Sequence, residues 1–493
     1  MTLQATLDAV PESAPGHPDN AARNRLVIGI LLVSTFVVFL NETIMSVAIP
    51  RLMDDLQVSA GAAQWLTTAF LLTMAVVIPV TGFLLQRLNT RPIFILAMAI
   101  FTVGTLGCAL APGLDLLIVG RVVQATGTAI MMPLLMTTVM SLVPPASRGR
   151  TMGNISIVMA VAPAVGPTIG GFILAHYDWR FMFYFTLPIA AAALLLGTLR
   201  IRNVSTPRPT PLDLASVLLS AIAFGGLVYG LSSLGEGGGN APVPAWAIIA
   251  VGLLAMAVFI RRQLGLAHEE RALLDLRTLR QRNYTTALVT MAVAMVALLG
   301  SSILLPIYTQ HVLGLDTFET GMLLLPGGLL MGLLGPIVGR LYDRLGPRPL
   351  LVPGVIAVSA VMWALTLVGP QTPVWAVVAG HVVLSIGLAF AFTPLFTASM
   401  SSVPAPLYSH ASAILGSVQQ VAGAAGIALF VAVMSLQTAA ATAGGAAGVD
   451  ALAAGIRAGF LCGAIISLLM VAAAFFVRRA DADGEGGHGP AGH

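Results

Sequence analysis

GFLLQRLNTRP at Gly82 to Pro92 and GRLYDRLGPRP at Gly339 to Pro349 are two spellings of one short basic turn, 257 positions apart, and each follows one apolar run and opens another. A segment this polar does not dissolve in hydrocarbon, and one this short does not fold alone. Two copies mark equivalent hinges on one side of a bilayer in a chain built from two related halves, which points to transport. The repeat extends outward. GRVVQATG at Gly120 to Gly127 matches GHVVLSIG at Gly380 to Gly387, and Gly166 falls on Gly426 at the same offset of 260.

Composition closes off the alternatives early. Hydrophobic residues are 57% and charged residues 9% of the 493, far from the roughly half apolar and quarter charged balance of soluble domains. A soluble fold is excluded, and no stretch is left over for a soluble catalytic domain. The net charge of +4 comes from 24 arginines and no lysine, clustered in short loops between apolar runs. That pattern sets membrane topology and gives no nucleic-acid patch. Cys108 and Cys462 both fall inside apolar spans, which favours neither a disulfide framework nor a metal site. No metal and no cofactor are expected. Residues 1–24 carry Asp8, Glu12 and Asp19 without a basic start or an apolar stretch, so they read as a disordered cytoplasmic tail rather than a signal peptide. Residues 479–493 read the same way, with His488 and His493 as solvated side chains.

A span needs about 20 mostly apolar residues. Fourteen segments qualify: 26–49, 63–85, 92–111, 115–142, 150–175, 179–199, 212–233, 244–260, 284–306, 319–341, 349–369, 374–401, 409–437 and 456–477. With both termini cytoplasmic, inner loops and tails hold twenty arginines, outer loops hold Arg51, Arg180 and Arg457, and Arg121 lies within a span. That bias orients the chain. The expected organisation is a bundle of six helices over 25–200, two inserted helices with a linker over 201–282, and a second six-helix bundle over 283–478. The charges and LLDL pattern between Arg261 and Arg282 predict an amphipathic helix along the inner surface.

At this point the chain resembles the major facilitator superfamily, and within it the fourteen-helix drug/proton antiporters of the EmrB/QacA type. LNETIMSVAIP (Leu40 to Pro50) is similar to the first-helix motif of that branch. The two basic turns are similar to its loop motif, RVVQATG from Arg121 to its fourth-helix motif, and APAVGPTIGG (Ala162 to Gly171) to its antiporter motif. The resemblance implies an all-α membrane protein with the major facilitator fold: two pseudo-symmetric six-helix bundles plus two inserted helices. It also implies proton-driven efflux by alternating access. Departures are visible: Asn41 stands where Asp is frequent, with Glu42 after it, and Gln86 and Asn89 replace the usual Asp and Gly of the first loop motif. The second copy keeps Asp343, Arg344, Gly346 and Arg348.

Glu42 is the one carboxylate well inside an apolar span. An ionised acid there costs about 2.5 to 3.5 kcal/mol. Counted from the outer boundary, Glu42 on the first span and Arg121 on the fourth both lie at ~10 Å depth, so the two are expected to neutralise each other, directly or through water. Burial favours the protonated acid and a nearby guanidinium favours the carboxylate, so a motion that changes their separation would couple proton binding to the transport cycle. A static ion pair that fixes helix register is the plainer reading. Gln124, one turn from Arg121, would donate to a substrate or to a neighbouring helix. His381 occupies the repeat position of Arg121 and would either titrate in the cycle or simply pack.

The expected cavity is lined from spans one, four, nine and twelve by Asn41, Met45, Gln124, Met132, Met136, His381, Phe390 and Phe392, adaptable side chains that also suit ordinary packing. Expected gating elements are Gly82, Arg87 and Arg91 in the first turn, Gly339, Asp343, Arg344 and Arg348 in the second, and Gly166, Pro167, Gly170 and Gly171, where proline and glycine bend span five and admit a close neighbour. The arginines would meet the negative ends of the preceding helices, and the first gate, lacking an acid at Gln86, should be the weaker.

The expected function is proton-driven export of amphipathic drugs or antibiotics by a monomer in the plasma membrane, its partners being the small organic cargo, protons and the lipid bilayer. A dedicated exporter of one endogenous metabolite fits the same residues. A membrane enzyme does not, because Asp54-Asp55 and Ser409-His410 lack catalytic companions. A channel would need a repeated filter ring.

Overall fold

The computed structural model describes residues 18–204, 207, 211–235 and 243–479, and the regular elements among them are all helical. Fourteen helices are long and apolar enough to cross a bilayer. In the first half these are α1 (Pro18–Ile44), α2 (Ala60–Arg87), α3 (Thr90–Ala109), α4 (Leu114–Leu142), α5 (Arg148–His176) and α6 (Arg180–Arg200). Next come α7 (Leu214–Leu234) and α8 (Ala245–Leu266). The second half holds α9 (Arg282–His311), α10 (Thr317–Leu345), α11 (Arg348–Leu365), α12 (Val374–Ser401), α13 (Tyr408–Ala443) and α14 (Gly448–Ala474). Residues 18–24, expected as tail, already belong to α1, since Pro18 and Asp19 suit a first helical turn. Residues 1–17 and 480–493, with His488 and His493, lie outside the described residues.

Local capping sets several starts. The Ser59 hydroxyl accepts from the Ala62 N–H at 3.3 Å to open α2. Asp316 and Glu319 form a reciprocal box on α10, at 2.7 and 3.0 Å. Asp213 accepts from the Ser216 N–H at the head of α7 and receives both Nε and Nη2 of Arg262 from α8, at 2.7 and 2.9 Å. This forked guanidinium bond, reinforced by Ser216, holds the Asp213 carboxyl well below the usual carboxylate range.

The predicted amphipathic helix between Arg261 and Arg282 does not form. α8 carries on through Arg261 and Arg262, and two short 3₁₀ turns follow, Ala267–Glu269 and Leu276–Arg280. Gln263, buried on α8, accepts the Leu273 and Leu274 N–H groups on its side-chain oxygen at 2.7 and 3.2 Å. Asp275 caps the second turn and pairs with Arg277 at 2.6 Å. Side chains that bond the local backbone in this way compete with helix formation. The LLDL pattern therefore inserts Leu273 and Leu274 into the core rather than laying a face on the membrane.

Packing follows a two-fold rule. In the first half α1 packs on α5, α6 and α4, α3 packs on α4 and α6, and α2 packs on α4. The second half repeats each pair, α9 on α13, α14 and α12, α11 on α12 and α14, and α10 on α12. The halves meet through α5 against α10 and α4 against α13, and through their symmetry mates, α13 against α2 and α12 against α5. The inserted α7 packs on α8, α13 and α2. The α5–α10 seam is closest where Gly149 and Gly153 face Gly339 and Gly335, because a Cβ on any of the four would collide with backbone across the seam.

Candidate functional site: a central cavity between the halves

The two halves are fastened at the end that carries the arginine-rich loops, here the basic end. The Asp343 carboxylate, from the second basic turn, accepts the Gly149 and Arg150 N–H groups at 2.7 and 2.8 Å and so caps the start of α5. Its counterpart Gln86 meets His410 at the start of α13, with 2.7 Å between the two Nε2 atoms. One latch is therefore ionic and the other neutral, on pseudo-equivalent helix starts. Gly82 permits the second by leaving room for His410 and Ala413. Further cross-half bonds join Arg148 to the Tyr408 hydroxyl at 3.2 Å, Thr137 to Ser412 at 3.1 Å and Ser156 to Thr393 at 2.8 Å. Of the other motif arginines, Arg91 bonds the Thr198 carbonyl at 2.8 Å and Arg348 that of Val477 at 3.1 Å, each within its own half, while Arg87 lies 5.8 Å from the Phe83 ring centroid and Arg344 is exposed.

Beyond these latches lies a cavity of about 330 Å³ walled by both halves. Glu42, Phe39, Met74, Met132, Met136 and Met159 come from the first half, and Met295, Met331, Phe392, Phe396, Gln419 and Gln420 from the second. Six methionines make a wall that adapts to apolar ligands of varied outline. Glu42 stands in that wall with Oε2 buried and without a hydrogen-bond partner.

Arg121 does not bond Glu42. It is 2% exposed, and its Nη1 donates to Gln124 at 2.6 Å and reaches Asn41 at 3.5 Å, while its Nε approaches the Leu66 carbonyl at 3.5 Å. The guanidinium lies 4.0 Å from the Phe70 ring centroid. Amide dipoles and an aromatic face thus solvate the cation inside the first half. Of the two forms of Glu42–Arg121 neutralisation anticipated from matching depth, direct or through water, the direct ion pair does not form, because equal depth does not fix the direction in which two side chains point.

Several expected cavity residues lie elsewhere. Gln124 is buried between Arg121 and Thr105, and Asn41 donates to Thr186 at 3.3 Å. Met45, in a 3₁₀ turn after α1, is 3% exposed within a cluster around Trp179 and Phe183. Phe390 packs over Gly354 on α11. His381 lies over Gly327 with Nε2 3.2 Å from the Leu324 carbonyl, in the seam between α12 and α10. Met132, Met136 and Phe392 do line the cavity. Beyond the four helices expected to line it, α2, α5, α10 and α13 also contribute to the cavity wall. The adjacent amides Gln419 and Gln420, in mid-span on α13, were the signal that could have shown it.

The α5 motif turns its small residues to α1. Gly166 faces Thr43 and Gly170 faces Ile44, and a side chain at either position would strike α1. The Thr43 hydroxyl lies 3.0 Å from the Ala162 carbonyl. Glu42 is thus one residue from the α1–α5 seam. Pro167 stays within α5, and a Cβ at Gly171 would meet open space.

Two six-helix halves walling a common cavity are the architecture of a membrane transporter. The family model described as Major Facilitator Superfamily matches residues 31–427, and the chain belongs to that superfamily. It is 38% identical to the uncharacterised MFS-type transporter YcnB of Bacillus subtilis, over 92% of this chain and 95% of that protein. It is 37% identical to the lincomycin resistance protein LmrB of Listeria monocytogenes, over 92% of this chain and 97% of that protein. Among solved structures, the human organic anion transporter MFSD10 superimposes with a TM-score of 0.66 at 15% identity, over 92% of this chain and 99% of that one. The proton:xylose symporter XylE gives 0.62 at 14%, over 93% and 96%. The protein is a multi-pass membrane transporter and not an enzyme.

Proposed function

We propose that this transporter exports amphipathic organic compounds, antibiotics among them, across the plasma membrane in exchange for protons, with both termini in the cytoplasm. The observation that carries the reading is Glu42: the one carboxylate among the described residues that line an apolar cavity, with one oxygen buried and unpartnered. A carboxylate in that setting is stabilised by a proton or by a cationic cargo, and the two exclude each other. Relatives named for lincomycin and multidrug resistance support export as the direction and drugs as the cargo.

With the arginine-rich loops on the cytoplasmic side, the latches at Asp343 and Gln86 hold that side shut. Proton arrival from outside neutralises Glu42 and displaces cargo. The neutral acid then lets the halves rock to the other state, where release of the proton to the cytoplasm restores the carboxylate. Thr43, next to Glu42, couples this event to the α1–α5 seam at Gly166. Arg121, solvated within its own half, supplies a fixed positive potential that favours proton release. Exchange of one proton for a neutral molecule moves charge and draws about 2.3 kcal/mol per 100 mV, whereas a monovalent cationic cargo cancels that contribution.

Everted vesicles test the scheme. Energised uptake of a fluorescent cationic dye is expected to collapse with a protonophore and to be lost in Glu42→Gln, with protein abundance unchanged. Full uptake in Glu42→Gln removes Glu42 from coupling, and uptake that ignores the protonophore removes the proton.

A further inference from the structure

Of the described residues lining the cavity, Glu42 and Gln419 are the two that hold a buried polar atom without a partner. On Glu42 it is a carboxylate oxygen, and on Gln419 it is the amide nitrogen Nε2. Three hydroxyls of the lining are engaged: Thr128 donates to the Gln124 carbonyl at 3.0 Å, Ser156 pairs with Thr393, and Ser412 pairs with Thr137. An unmet buried donor is costly, and lipid offers it no acceptor. The cavity therefore presents a buried unmet acceptor on the first half and a buried unmet donor on the second, in a wall otherwise rich in methionine.

We propose that Gln419 is a specificity-determining residue whose amide N–H donates to an acceptor atom of the cargo. The matching cargo is a weak base whose ammonium pairs with Glu42 and whose carbonyl, ether or hydroxyl oxygen, across an apolar body, meets Gln419. Such a molecule bridges α1 and α13, one from each half. Its binding energy then favours the state in which both walls are in reach, which ties occupancy to closure around the cargo. A simple apolar cation satisfies Glu42 alone and leaves Gln419 unmet. The inference rests on the export reading for the ammonium at Glu42, and the Gln419 contact is read out separately.

The experiment is equilibrium binding to the purified full-length protein in lipid nanodiscs, with no proton gradient. The probes are a dimethylaminoalkyl aryl ketone and its aryl-methylene analogue of equal length. The wild type is expected to bind the ketone about tenfold more tightly than the analogue. Gln419→Met, close in volume, should abolish that preference by weakening the ketone alone, with binding of the analogue reporting an intact fold. Equal weakening of both probes makes Gln419 a packing residue and overturns the proposal. So does a preference that survives in Gln419→Met, or no preference in the wild type. Protonophore-insensitive flux would instead defeat the coupling scheme and leave this binding result standing.

Discussion

Replacing Asp343 by asparagine tests whether charge, rather than shape, holds the basic end together. The carboxylate accepts two backbone N–H groups at the start of α5, at 2.7 and 2.8 Å. Each bond to a charged acceptor contributes about 1.5 to 3 kcal/mol, and the helix N-terminus adds about 0.3 to 1. Asparagine keeps one acceptor but turns an NH₂ donor toward the second N–H, so one bond is lost and the charge with it. Because Asp343 is only partly buried, solvent lowers the sum, and a net loss of about 2 kcal/mol is expected, a shift of about 30-fold between closed and open states of that end. Spin labels on Ala146→Cys and Ala405→Cys, exposed positions just before α5 and α13, report the separation in a background lacking Cys108 and Cys462. The long-distance population should rise strongly in Asp343→Asn and less in Gln86→Leu, which removes only the neutral contact to His410. An unchanged distribution in Asp343→Asn, or a larger effect of Gln86→Leu, refutes the argument.

Gly153→Val places a branched side chain against the Gly335 carbonyl; overpacking of this kind costs about 1 to 3 kcal/mol, and vesicle uptake should fall with the closed basic-end distance no longer populated. Arg121→Met removes the partner of Gln124 and Asn41 and leaves buried amides unmet, so thermal stability in detergent should drop even where Glu42 is already Gln; an unchanged melting temperature would mean that Arg121 does not organise this site. Asp213 has its acidity strengthened by Arg262, so the pair stabilises the fold above the unfolded carboxyl pKa of about 3.9 and loses that effect as pH falls toward the depressed folded value. The melting-temperature gap between wild type and Asp213→Asn should accordingly be present near about pH 7 and narrow below about pH 4; a gap independent of pH would assign it to packing.

The sequence by itself determined the architecture, since hydrocarbon leaves a backbone few ways to satisfy its hydrogen bonds and each of the fourteen apolar runs became a helix. The repeat also foretold which helices would exchange places. Gly120–Gly127 and Gly380–Gly387 are related by the same two-fold that carries α3 against α4 onto α11 against α12. Helix ends strayed by a few residues, α1 beginning at Pro18, and local bonding by Gln263 and Asp275 folded the linker after α8 into tight turns. What lines the cavity was decided by tertiary structure. Depth along a helix follows from counting residues, but azimuth depends on how each helix is rolled against its neighbours. That roll turned Arg121 into its own half beside Gln124 and sent Phe390 to Gly354 and His381 to Gly327, while it brought Gln419 from α13 to face the same space as Glu42. Apolar spans of this composition have hydrophobic residues on every side, so no periodicity marked the inward face, and the close approach of glycines across the seams settled it.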